Sequence, residues 1–147
     1  MSTIIVFASK HQGNTRKVVE AIAKECEVEL YDVTQGPKDL SGYDKIGFAS
    51  GIYAANFDRG LLDFAASNLP NDKKVFFIYT ATLDTDFSKS ISKAIAGKNA
   101  TVIGQFGCKG YNNWGPFKLM GGAAKGHPNQ TDLANAVSFF KNTVEPA

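Results

Sequence analysis

Cysteine, histidine and tryptophan are scarce in this chain, and each scarcity closes a class of protein. The two cysteines, Cys26 and Cys108, stand far apart, outside any C-x-x-C pair or framework spacing. That excludes a disulfide scaffold and a structural zinc site and leaves reduced thiols, as in a cytosolic protein. No charge of one sign dominates: the net charge is +2, both signs are mixed, and the clusters Lys10/Arg16/Lys17 and Lys73/Lys74 are too small to track a nucleic acid. Long apolar runs are missing too. The run after Met1-Ser2-Thr3 is too short for a membrane span or a signal peptide and has no basic residues before it, so a soluble, intracellular protein is expected. Phosphate motifs are absent in their strict forms. There is no G-x-G-x-x-G after the first apolar run and no G-x-x-x-x-G-K-[ST], which removes the usual dinucleotide and triphosphate sites.

What the chain does contain is an alternation of strand and helix patterns. At 147 residues it is long enough for one core, and the expectation is a single domain over 1–147. Ile4, Ile5, Val6 and Phe7 open as a strand. Val18, Val19, Ile22, Ala23 and Cys26 then recur at helical spacing opposite Arg16, Lys17, Glu20 and Lys24. Glu27 to Val33 alternates like an edge strand. Lys45 to Gly51, Val75 to Thr80 and Ala100 to Gly107 read as further strands, and the first two of these are nearly continuous in apolar residues, as suits a parallel sheet covered on both faces. Between them Leu61, Leu62, Phe64, Ala65 and Leu69 mark a helix closed by Pro70-Asn71, and a weaker helix covers Ser90 to Ala96. Leu133, Ala136, Val137 and Phe140 form a final helix, with Asn129 or Thr131 as its cap. This pattern predicts a doubly wound α/β sandwich with helices on both faces, in which ligands bind outside the carboxyl ends of the strands. One segment stands apart. Cys108 to Pro128 holds Gly110, Gly115, Gly121, Gly122 and Gly126 with Tyr111, Trp114 and Phe117, and a connection this long is usually functional.

The stretch Ser9-Lys10-His11-Gln12-Gly13-Asn14-Thr15 joins the first strand to the first helix. Hydroxyls, backbone N–H groups and a helix start brought to one point make a phosphate cradle, although Asn14 or Thr15 capping the helix and Gly13 turning the chain would use the same residues. Other strand ends deliver Ser50-Gly51-Ile52-Tyr53, Thr80-Ala81-Thr82 and Phe106-Gly107-Cys108 to the same rim. Thr80 and Thr82 are also possible caps, Tyr53 a possible surface aromatic. Cys108, followed only by Lys109 and Gly110, reads as a buried wall of the pocket and not as a nucleophile. The aspartate that a receiver domain needs is replaced by Ser50-Gly51, which removes that reading.

Val6-Phe7-x-Ser9 followed by Gly13-Asn14-Thr15 resembles the FMN phosphate loop of the flavodoxin family, and the chain resembles a short-chain flavodoxin over essentially its whole length. One more residue separates Ser9 from Gly13 than is usual there, which puts His11 and Gln12 in the loop, and Val19 stands where the family favours alanine. The resemblance implies a flavodoxin-like three-layer sandwich with a five-stranded parallel sheet in the order 2-1-3-4-5, and FMN as cofactor. It implies a set of cofactor contacts: Ser9, Lys10, His11, Gly13, Asn14 and Thr15 in the loop, then Ser50, Gly51, Ile52 and Tyr53, then Thr80, Ala81 and Thr82, and finally Phe106, Cys108, Gly110 and Trp114. Tyr53 would lie against the flavin ring, with Trp114 or Phe87 as the other apolar neighbour. Ala54-Ala55 stands where the family carries a glycine and an acid whose peptide turns over on reduction, and alanine is expected to resist the φ > 0 conformation of that turn by roughly 1 kcal/mol. The function so implied is a monomeric electron carrier that docks transiently with reductase and acceptor enzymes, without nucleic acid or membrane. An FMN-dependent reductase of quinones or other small molecules is the alternative, and fold alone does not separate the two.

Overall fold

The computed structural model describes residues 2–9, 13–82, 85–110 and 126–146. The fold is organised around β1 (Thr3–Ala8), every residue of which is buried. On one side β1 pairs in parallel with β2 (Glu29–Asp32), and on the other with β3 (Lys45–Tyr53). Next come β5 (Lys74–Ala81) and β6 (Thr101–Lys109), both parallel, so that the sheet runs β2-β1-β3-β5-β6. The expected order holds for these five strands. The sheet nevertheless has six, because β4 (Asn56–Phe57) folds back antiparallel on the end of β3. Two residues leave no alternation to read, and the turn before them carries no glycine, so the pattern in the sequence does not announce this hairpin.

Strand side chains alternate between faces, and the two cores follow from that. Ile4, Val6, Phe48, Phe77 and Tyr79 pack under α2 (Arg59–Asn68) and α3 (Lys89–Ala94), through Leu61, Phe64 and Ile91. Ile5, Phe7, Ala49, Phe76 and Ile78 pack under α1 (Asn14–Glu25) and α4 (Gln130–Phe139), through Val18, Ile22, Ala136 and Phe140. Each fully buried side chain of this kind stabilises by about 1.5–3 kcal/mol relative to exposure, which is why the central strands carry almost no polar residue.

The helix starts are set by local polar bonds. The Asp58 carboxylate accepts from Leu61 N and starts α2 two residues before the apolar pattern shows it. Of the two caps considered for α4, Asn129 is the one used: it exchanges bonds with Asp132 in a capping box, at 2.9 and 2.8 Å. Strand β2 is shorter than its alternation suggests because Asp32 accepts from Thr34 N and turns Val33–Gln35 into a 3-10 helix. At the other edge β6 runs two residues further than expected, which puts Cys108 inside the strand.

Candidate functional site

The parallel register brings the ends of β1, β3, β5 and β6 to one rim. Gly51 lies beside Thr80, and Thr80 beside Cys108, all with Cβ directions toward the α1 face. On that face the Thr15 and Thr80 hydroxyls meet at 3.2 Å, and both residues are buried. Thr15 therefore points into the sheet end and does not cap its own helix. The cap position of α1 belongs to Gly13, at φ 71°, which has no side chain to cap the twelve-residue helix. Ser9 closes the loop from the strand side by accepting from Arg16 N at 3.2 Å.

Two glycines make the floor. A Cβ on Gly110 would stand 2.8 Å from Asn14 Nδ2 and 3.1 Å from Thr80 Cβ, so the Asn14 amide and β5 approach the chain there as closely as backbone allows. Gly110 N donates to Ala81 O at 3.0 Å and continues the ladder past the end of β6. At Gly51 a Cβ would meet the Tyr53 hydroxyl at 2.9 Å; the phenol is folded back over β3, toward the face of the Thr15–Thr80 pair. Ser9, Gly13, Asn14, Thr15, Gly51, Tyr53, Thr80 and Gly110 are thus brought together.

Other residues of the expected set lie elsewhere. Ser50 is fully buried on the α2 face, where its hydroxyl donates to Gly51 O and accepts from Asp58 N at 2.9 Å; it braces β3 against α2. Ile52 pairs with Phe57 and packs into the same core. Phe106 lies against Phe139, 5.7 Å between ring centres, and serves the α4 core. Ala81 is buried and Thr82 half-buried at the last turn of β5. Burial pushes the Cys108 thiol up to about 12, with the Asp132 charge adding to the effect, so the thiol is protonated at neutral pH. Lys10, His11 and Trp114 lie outside the described residues, as do Leu83 and most of the segment between Cys108 and Pro128.

The structure corrects the expectation for the β3 turn. Ala54 and Ala55 both adopt positive φ, 51° and 68°, despite the steric cost of about 1 kcal/mol each. Their surroundings over-determine the turn. Asn56 Nδ2 donates to Ala54 O at 3.1 Å, Ile52 and Phe57 pair below it, and Phe57 N donates to Ser90 Oγ at 2.9 Å. None of this has a signal in the sequence. His127 holds Asp132 Oδ2 through Nδ1 at 2.5 Å beside the α4 cap. Among the described residues no group of three or more His, Cys, Asp or Glu is placed to hold a metal ion, and no helix is long and apolar enough to cross a membrane.

Residues 4–110 match the Flavodoxin domain family. The chain belongs to the flavodoxin family. It is also 34% identical, over 99% of both chains, to an uncharacterised protein of Methanocaldococcus jannaschii. Among solved structures it is similar to oxidised flavodoxin 1 of Bacillus cereus, with a TM-score of 0.68, 16% identity and 99% of each chain covered. A flavodoxin of Fusobacterium nucleatum bound to flavin mononucleotide superposes with a TM-score of 0.61 at 13% identity, covering 97% of this chain and 98% of that one. At such identities the structural likeness concerns the flavodoxin fold, and the site rests on this chain's own residues.

Proposed function

We propose that this chain binds FMN at the carboxyl ends of β1, β3 and β5 and carries electrons between redox proteins. The observation that carries the reading is the Thr15–Thr80 hydroxyl pair beside the start of α1, with glycine at both neighbouring strand ends. This set fits a phosphate monoester. Ser9, Asn14 and Thr15 supply neutral donors, the first α1 amides supply more, and Gly110 lets Asn14 and Thr80 close in on the chain from both sides. Tyr53 is the aromatic next to this cradle and is assigned to the flavin ring. Bound FMN would supply one- and two-electron transfer; the protein supplies orientation and field. Membership of the flavodoxin family supports the cofactor and the carrier role in general. The reading includes a monomeric cytoplasmic protein that docks transiently with a reductase and an acceptor.

The visible absorption spectrum of the purified, FMN-reconstituted protein tests it first. Flavin bands that survive desalting are expected, and NAD(P)H oxidation with quinones should stay near background. A protein that binds riboflavin as tightly as FMN would overturn the phosphate assignment.

A further inference from the structure

We infer that the carrier docks its redox partner on the α2/α3 side of the rim through Arg59, Lys89 and Lys109, and that this partner presents an acidic surface. The inference rests on the carrier reading and adds the chemistry of the partner. Arg59 opens α2 directly after β4, Lys89 opens α3 beside Ser90, which holds Phe57 of the Tyr53–Asn56 hairpin, and Lys109 ends the edge strand β6 on the same face of the sheet as Gly107 and Tyr79. All three are exposed. Lys89 and Lys109 make no ion pair among the described residues, and Arg59 reaches only Asp63, 3.4 Å away and itself exposed.

Among the described residues the acids of this sector already have partners, Asp63 in the pair with Arg59 and the other two within the fold. Asp58 is buried and caps α2. Asp86 Oδ1 accepts from Ser88 N, Ser88 Oγ and Gln105 Nε2, which lays the carboxylate along the protein surface. The tip of the turn, Ala54 to Asn56, is exposed and uncharged. The result is a small neutral tip with cations at its border, the arrangement of an interface centre and its polar rim. Helix stability does not explain it: α2 has no acid in its first turn and places Arg59 at its positive end, where a cation is unfavourable. Opposed charges at such a rim steer encounter and select the partner.

The test uses the full chain loaded with FMN, reduced with dithionite, and mixed with either an acidic cytochrome b5 or a basic cytochrome c as probe. Each protein, its flavin reduced by two electrons to the anionic hydroquinone, gives up one electron to each of two ferric haems, which become ferrous, and the single proton on flavin N5 is released as the flavin returns to its oxidised form. The second-order rate with cytochrome b5 is expected to fall about tenfold between low and physiological ionic strength, and the rate with cytochrome c to stay level or rise. The triple variant Arg59→Glu, Lys89→Glu, Lys109→Glu should exchange these two salt dependences while keeping the flavin spectrum. A rate with cytochrome c that falls with salt in the unmodified protein, or salt dependences that the triple variant leaves unchanged, would overturn the docking surface. Failure of the carrier reading looks different: no flavin band after desalting, or no electron transfer to either probe at any ionic strength.

Discussion

Thr15 and Thr80 come from segments 65 positions apart, and their 3.2 Å contact defines the phosphate end of the proposed site. Thr15→Ala removes a donor aimed at a charged group, a bond worth about 1.5–3 kcal/mol, so FMN should weaken by roughly 10- to 150-fold. Riboflavin, which has no phosphate, should lose far less, and paired fluorescence titrations read the difference. Cys108 makes a second prediction at this scale. Its folded pKa, pushed up to about 12, lies above the ordinary thiol value of 9.0. The folded state therefore holds the proton after the unfolded chain has released it, and this contribution to stability is complete below pH 9 and lost as pH rises from 9 toward 12. Urea unfolding of the unmodified protein should fall by up to about 1.4 kcal/mol per pH unit more steeply than that of Cys108→Ala above pH 9. The polar strand ends were legible in the sequence because such residue types are unusual there; which sheet face Ser50 takes was not, because a side chain's face at a strand end is known only once the register is known.

Among the elements, long strands and helices were legible and the short hairpin was not. An Asn-Gly or Asp-Gly pair would have signalled a tight turn at Ala54-Ala55; two alanines signal nothing, and it is tertiary contact through Phe57, Ser90 and Asn56 that forces them to positive φ. The strain is open to direct measurement. Ala54→Gly and Ala55→Gly should each stabilise the apoprotein by about 0.5–1 kcal/mol in urea unfolding, because glycine enters that region freely. Asn56→Ala, which releases the Ala54 carbonyl, should act in the opposite direction. If the glycine variants instead destabilise, the positive φ at those alanines carries no strain to relieve. The caps divide along similar lines. Asn129 was legible as one of two candidates before an apolar period, and its bonds with Asp132 decide between them, whereas Asp58 precedes Arg59-Gly60 and no apolar periodicity points back to it.

At the scale of the whole molecule, the order of the parallel strands follows from alternation and from right-handed crossovers, and the closure of the chain does not. That closure is made at the amino ends of the strands, opposite the site. Lys45, nearly buried at the start of β3, donates to Val144 O and stands 3.7 Å from Glu145, which also accepts from the Thr3 hydroxyl. One ionic group thus joins β1, β3 and the last helical turn (Phe140–Val144), across separations of 142 and 99 positions that no local pattern can report. Removing Glu145 is the costlier change because Lys45 stays behind in a poorly hydrated place, whereas an apolar side chain of similar length at Lys45 removes that desolvation cost and leaves behind only Glu145, which water reaches. The two substitutions should therefore differ. Glu145→Ala is expected to destabilise by about 2–4 kcal/mol in urea unfolding at pH 7, reduced toward the lower figure by the partial exposure of Glu145. Lys45→Met should lie within about 1 kcal/mol of the unmodified protein, and the double variant should be no less stable than Glu145→Ala alone. Equal losses for the two single variants would show that the cluster contributes through packing of the last turn and not through its charges.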